Sequence, residues 1–306
     1  MKSSEKSSLL NIYSFFSLII LSAIWGSSFI FIKISVETIP PSILTFYRLF
    51  IASLFLVIFC IIKKKTNFFS SNLFDLFVIA IFGNVLPFNL ISWTEIYVDS
   101  FVASTLIGTM PLFTFLIAFF FKKNGSFNFI TLVGIIIGFS GMIVFISPDK
   151  NVIENILNTS FSFLILLSAI FYAISANWVK KTGTQSAIEV ATGSTILATI
   201  ISLPVSILLL KFSNNEFHSM IESISIKSFI SASILGAVCT GLAVSIFFSI
   251  IKIHSAVFAS QSNYLIPCFG FFWSYLFLNE ELTTNLFLGL ILIVLGGFLV
   301  NKKMSF

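Results

Sequence analysis

Charge is what this chain has least of. Only 9% of its 306 residues are Asp, Glu, Lys or Arg, against 57% that are hydrophobic. A soluble domain carries about 25% charged residues, and a single core of this size could not hide so much apolar surface. The composition is that of a polytopic membrane protein whose first partner is the lipid bilayer. Cys60, Cys239 and Cys268 each fall inside an apolar run and form no C-x-x-C pair. They read as small hydrophobes, with no disulfide or metal framework. His218 and His254 cluster with no Cys, Asp or Glu, so metal chemistry and histidine catalysis have no basis. No G-x-x-x-x-G-K-[ST] motif is present, so ATP hydrolysis within the chain is not the energy source. The net charge of +5 comes from short lysine clusters between apolar runs, without the basic stripe of a nucleic-acid footprint. No enzyme activity, cofactor, metal or nucleic acid is expected.

What is present is apolar sequence in runs of spanning length. A helix needs about 20 apolar residues to cross the hydrocarbon. Ten runs qualify: 14–36, 41–62, 73–93, 98–121, 129–147, 161–180, 186–211, 227–250, 255–278 and 284–301. Turn signals divide most of them, among them Pro40-Pro41, Asn124-Gly125, Pro148-Asp149, Ser213 to Asn215 and Asn279 to Glu281. Lys2 and Lys6 precede the first run as in a signal peptide, but the run is too long and no small-residue cleavage site follows. It reads as a retained first span. With the N-terminus inside, Lys63, Lys64, Lys65, Lys122, Lys123, Lys180, Lys181, Lys252, Lys302 and Lys303 join Lys2 and Lys6 on the cytoplasmic side. The outer side holds Lys150, Lys211 and Lys227. The positive-inside rule then places both termini in the cytoplasm.

The chain also repeats itself. Ala103-Ser104 matches Ala259-Ser260, Pro111 matches Pro267 and Phe113 matches Phe269, all 156 residues apart. "SAIW" at Ser22 recurs as "SAIF" at Ser168. Each half holds five spans, 14–147 and 161–301. Five is odd, so the second half enters the membrane from the opposite face. Inverted repeats of this kind are a recurrent transporter architecture, with the site at the midplane between halves.

The stretches "WGSSFIFIK" and "IPPSILTFYRLFIASLFL" in the first half carry a family likeness. So do "LGAVCTGLAVSIFF", "ASQSNYLIPCFGFFWSYLFLNEELT" and "LGLILIVLGG" in the second. The chain resembles the EamA-type, ten-helix members of the drug/metabolite transporter superfamily. The resemblance implies an all-α secondary transporter, multi-pass in the cell membrane (the inner membrane in a bacterium). It also implies a small-molecule substrate, moved by alternating access. Members of that family mostly export amino acids and related metabolites, and some take up or exchange nucleotide-linked ones.

Polar residues inside the spans are the candidates for a site. All twelve acids, Glu95 included, fall at span ends or in loops, so no midplane carboxylate offers a proton relay. Arg48 lies roughly 10 Å into the second span at about 1.5 Å per residue. It either bonds helix-end carbonyls or faces a cavity and draws carboxylate substrates. Lys33 is expected to snorkel to the outer interface, with Glu37 as an i,i+4 partner. Asn84, Asn89, Gln261, Asn263 and Tyr264 either contact a ligand or bond across helices. Trp25, Ser28 and Tyr172 are candidates to line the same cavity, while Trp93 fits an interfacial belt. Pro111 and Pro267, at matched positions, are candidate hinges. Glycines in the fifth and tenth spans allow close packing, as scaffold or as a homodimer contact.

Overall fold

The computed structural model describes residues 2–69, 72–98, 100–121, 129–146, 161–183, 185–212, 224–278 and 284–302, and these are almost wholly helical. The first half holds α1 (Lys2–Val36), α2 (Pro41–Ile62), α3 (Leu73–Ala80), a π-helical segment π1 (Ile81–Val85), α4 (Leu86–Thr94), α5 (Ser100–Ile107), α6 (Met110–Phe121) and α7 (Phe129–Ile146). The second half holds α8 (Ser162–Lys181), α9 (Ala187–Phe212), α10 (Ile226–Ile234), π2 (Leu235–Leu242), α11 (Ala243–Ile253), α12 (Ala256–Ser260), α13 (Ser262–Leu278) and α14 (Thr284–Lys302).

Among the described residues, seven stretches are long and apolar enough to cross a membrane. They are Ile12–Val36, Pro41–Ile62, Leu73–Thr94, Ser100–Phe120, Ser162–Lys181, Ala187–Leu210 and Ile226–Ile253. Two shorter apolar helices, Phe129–Phe145 and Phe287–Val300, fall where the sequence predicts the fifth and tenth spans. Phe120, Ile207 and Phe298 are among many large apolar side chains left exposed, as suits a molecule whose outer solvent is lipid. The protein is a multi-pass membrane protein. The loop lysines 122, 123, 150 and 303 and the turn signals at 124–125, 148–149, 213–215 and 279–281 lie outside the described residues.

Local chemistry sets the helix ends. Pro41 opens α2, where its missing N–H is no loss. Asn72 Oδ1 accepts from Phe74 N–H at 3.0 Å, and Ser255 Oγ from Phe258 N–H at 3.0 Å, capping α3 and α12. Gly183, at φ +62°, closes α8 in the left-handed region that glycine enters without cost.

The tightest helix pair is α7 with α14, joined through glycine. A Cβ on Gly296 would lie 2.5 Å from Gly134 O, and one on Gly289 would lie 2.7 Å from Gly141 O. The glycine faces of these two helices are therefore used against each other within the chain. Gly236 and Gly241 of π2 likewise sit against Arg48 O and Phe55 of α2, and Gly26 of α1 sits against Phe269 and Ile266 O of α13.

Lysines clasp two helix ends. Lys33 Nζ donates to Glu95 O at 2.6 Å and Val98 O at 3.2 Å. Glu37 is exposed. The expected i,i+4 pair gives way to the carbonyls left open at the end of α4, which are buried and need a donor. Lys180 Nζ donates to Ile251 O, Lys252 O and His254 O, closing α11 in the same manner. Phe161, at the start of α8, stacks on Tyr97 at 4.4 Å, and Lys180 is at the far end of α8. The two clasps are thus about 28 Å apart at 1.5 Å per residue.

Gly296→Ala should destabilise the protein by about 1–3 kcal/mol, because the backbones cannot separate without opening the pair. Gly297→Ala, whose Cβ would meet nothing within 4 Å, should leave the melting temperature in detergent unchanged. Equal melting of the two variants would remove the glycine contact as a support of the fold.

Candidate functional site

Irregular backbone builds the site. Pro87 has no N–H, and its ring would collide with the carbonyl of Gly83, four residues back. The helix widens there: Leu86 N–H reaches Ile81 O, five residues back, at the end of π1. In π2 no proline forces the change. Thr240 Oγ1 instead donates to Leu235 O, five residues back, at 2.9 Å. Pro111 acts on the next helix by excluding the Ile107 carbonyl, and α5 ends there, with a turn at Gly108–Thr109 before α6. A second break at Gln261 divides α12 from α13. Segments of this type recur at functional sites because they free backbone groups and redirect side chains.

All four irregular points border one cavity, of about 720 Å³ when the open space at its mouth is included. Gly83 and Asn84 come from π1, Cys239 from π2, Ile107 and Met110 from either side of the α5–α6 turn, and Asn263 from just past Gln261. Phe29, Phe88, Val244, Phe247 and Ile266 make most of the wall apolar.

Arg48 is the charged residue in that wall. It is buried, at 5% exposure. Nε donates to Thr240 Oγ1 at 2.6 Å, and the guanidinium carbon lies 3.7 Å above the centre of the Phe88 ring. The Thr240 hydroxyl accepts from Arg48 and donates to Leu235 O, so π2 orients the arginine through its own irregularity. Among the described residues, no carboxylate comes within 4 Å of Arg48 and its terminal nitrogens meet no protein acceptor. A fixed cation with free, coplanar donors in an apolar chamber is suited to a carboxylate.

Six of the nine binding residues expected from the sequence line the cavity: Trp25, Ser28, Arg48, Asn84, Tyr172 and Asn263. Trp25 Nε1 donates to Cys239 O at 3.2 Å and its ring meets Phe247 edge-on at 5.0 Å. Ser28 Oγ is turned to Trp25 O at 2.6 Å. Asn84 Oδ1 is buried without a partner, and Asn263 Nδ2 bonds Ser260 O at 3.0 Å. Tyr172 packs on Phe88, at 6.3 Å between ring centres. The other three are not among the lining residues. Asn89 Nδ2 bonds Val85 O, Gln261 Nε2 bonds Val257 O, and the Tyr264 hydroxyl bonds Ile135 O while its ring covers Gly138. Of the paired prolines, Pro111 follows a break and Pro267 lies inside continuous α13. Thr240 and Phe88, which hold Arg48, carry no signal in sequence beyond standing in "AVCTGLAV" and "VLPFNL".

Glu95 follows the end of α4, as its place in the sequence implies, yet it has no exposed surface. It sits one helical turn beyond Ile91 of the cavity wall. Ser100 Oγ donates to Glu95 Oε2 at 3.3 Å, and Oε1 has no partner.

Comparison with known proteins bears on the whole chain. The profile of the EamA-like transporter family matches residues 13–147 and again 159–302. The chain belongs to the EamA-like transporter family. Within the drug/metabolite transporters it is similar to the uncharacterized transporter YoaV of Bacillus subtilis, 24% identical over 92% of this chain and 94% of that one. It is 42% identical to an uncharacterized transporter of Buchnera aphidicola subsp. Schlechtendalia chinensis, over 38% of this chain and 39% of the relative's length. A solved crystal structure shares the fold, with a TM-score of 0.71 at 13% identity over 96% of this chain and 98% of that one. These EamA-like relatives are named transporters and not enzymes.

Thr240→Val should cost about 1.5–3 kcal/mol, the worth of a hydrogen bond to a charged group, because the Arg48 Nε–H is left buried and unmatched. Thr195→Val replaces a buried hydroxyl that has no partner and should be neutral or stabilising. Thermal melts in detergent compare the two; a Thr240→Val melt no lower than that of Thr195→Val would contradict the anchoring role.

Proposed function

We propose that this chain is a secondary transporter that exports amino acids or related small metabolites by alternating access, with Arg48 holding the substrate carboxylate. The observation that carries the reading is Arg48 itself: a buried cation, fixed by Thr240 and Phe88, in a mostly apolar cavity, with no carboxylate within 4 Å among the described residues. An arginine near the bilayer centre costs about 2.5–3.5 kcal/mol or more. A bound carboxylate offsets that cost during transport. Export is the direction common among members of the family the sequence resembles.

The reading includes ten spans in two inverted halves, 14–147 and 161–301, with both termini in the cytoplasm. Three features support it. The family profile matches each half separately. Both halves place a π segment in their third helical stretch. The 156-residue offset of the repeat carries carbonyls 95 and 98, held by Lys33, onto carbonyls 251 and 254, held by Lys180. The clasps then close the third stretch of each half at opposite ends of the molecule. Rocking of one half on the other would open one end at a time.

Reconstitution in liposomes with radiolabelled amino acids and nucleotide-like metabolites tests the reading. Wild type should move at least one amino acid. Arg48→Ala should lower that rate about tenfold or more, as expected when a hydrogen bond to a charged group worth about 1.5–3 kcal/mol is lost. Lys33→Ala should lower it less. Movement of no compound, with or without a pH gradient, would overturn the reading, as would wild-type rates from both variants at normal expression.

A further inference from the structure

Glu95 is a buried acid that the binding scheme above does not use. Its side chain has no exposed surface, one oxygen has no partner, and the other has only the Ser100 hydroxyl. Ser100 Oγ also reaches Phe29 O, and Phe29, Ile32 and Ile91 are cavity wall. The carboxyl therefore stands directly behind the outer end of the chamber that holds Arg48.

The charged groups acting on it come from two helices: Lys33 on α1 and Arg48 on α2. Lys33 Nζ is turned to the carbonyls of Glu95 and Val98 and forms no ion pair with the carboxylate. α5 contributes Ser100, and α8 brings Phe161 to this end. Asp99 lies outside the described residues.

The repeat shows that the carboxyl is not needed for architecture. The second half builds the same clasp, with Lys180 on carbonyls 251 and 254, and at the position matching Glu95 it has Ile251. An apolar side chain suffices there. A carboxyl in the first half adds a charge state that the scaffold does not require.

We propose that Glu95 is a proton-binding site linked to carboxylate binding at Arg48, so that substrate and proton occupy the protein together. This rests on the reading of Arg48 as the carboxylate anchor. The reason is charge balance in a low-dielectric interior. When the chamber is empty, an ionised Glu95 is the anion that offsets Arg48. When a substrate carboxylate takes that place, a second anion nearby is opposed, and Glu95 takes up a proton. Burial raises the Glu95 carboxyl well above the ordinary carboxylate range, with Ser100, Lys33 and Arg48 pulling it back. The proton therefore comes on at higher pH than for an ordinary carboxylate, and substrate binding strengthens as pH falls. By reciprocity, substrate favours the proton as much as the proton favours substrate. Substrate then moves preferentially with the proton bound, whichever gradient sets the direction.

The test uses the full chain in liposomes, exchanging a mixture of radiolabelled L-amino acids across an interior loaded with a fluorescent pH indicator. For wild type, the apparent KM should fall about tenfold, a typical coupling, between about pH 8 and pH 6, and the indicator should report protons moving with the amino acids. Glu95→Gln, fixed in the charge state of the protonated form, should hold a low KM at both pH values and move amino acids without protons. His254, at the opposite end of the molecule, is retained in Glu95→Gln, so any pH dependence left in that variant belongs elsewhere. Amino acid movement with a pH-independent KM and no proton flux in wild type would overturn the proposal while leaving the Arg48 reading intact. Equal pH dependence in wild type and Glu95→Gln would do the same. If Glu95→Gln does not reach the membrane, wild-type proton flux alone decides, present or absent. Failure of wild type to move any amino acid would count against the Arg48 reading instead.

Discussion

A buried positive charge that no carboxylate pairs within 4 Å among the described residues is the constraint around which this protein is arranged. In hydrocarbon or dry protein an arginine is tolerated only where its donors are met or a polar chamber surrounds it. Here Thr240 takes one N–H and the face of Phe88 takes the guanidinium. The rest of Arg48 opens into a chamber whose other polar groups are neutral amides and hydroxyls. Thr240 can serve because π2 points it inward, and Phe88 because π1 lets Pro87 sit beside it without breaking the helix. The glycines of π2 then let α2 come close enough for Arg48 to reach both.

The same economy of polar groups explains most of the serines and threonines in the spans. Ser22, Ser35, Ser53, Thr114, Ser168, Thr192 and Ser206 each donate back to a carbonyl three or four residues earlier. In a bilayer that is the cheapest way to bury a hydroxyl. Such residues say little about function. Among the groups that escape the local bond, three gather at the chamber: Arg48 and Asn84 Oδ1 in its wall, and Glu95 Oε1 one turn beyond Ile91 of that wall.

How much of this the sequence disclosed follows from what each feature depends on. The helical character and membrane setting rest on composition and run length, which are properties of the chain alone. Trp25, Arg48 and Asn84 stood out because a polar or amphipathic group in an apolar run is costly wherever it goes. Tyr264 and Gln261 looked the same by that criterion, and only tertiary contact shows one bonded to Ile135 O and the other to its own helix. The π segments were not legible, since π2 contains no proline and π1 is signalled only by Pro87. Glu95 gives no signal in the sequence because it follows a span end. Position along the chain gives depth along the membrane normal, but not whether other helices close over that depth. Helix spacing points Lys33 to Glu37, whereas the open carbonyls at the end of α4 compete better for its donors.

The account stands most directly on whether the chamber recognises a carboxylate through Arg48. Calorimetric titration of the purified protein with an L-amino acid and with its amide, at one pH and salt, measures this. The account predicts that the carboxylate form binds at least about tenfold more tightly, the equivalent of 1.4 kcal/mol, and that Arg48→Ala removes the difference. Equal affinity for the two forms in wild type, or a preference that survives Arg48→Ala, would contradict it.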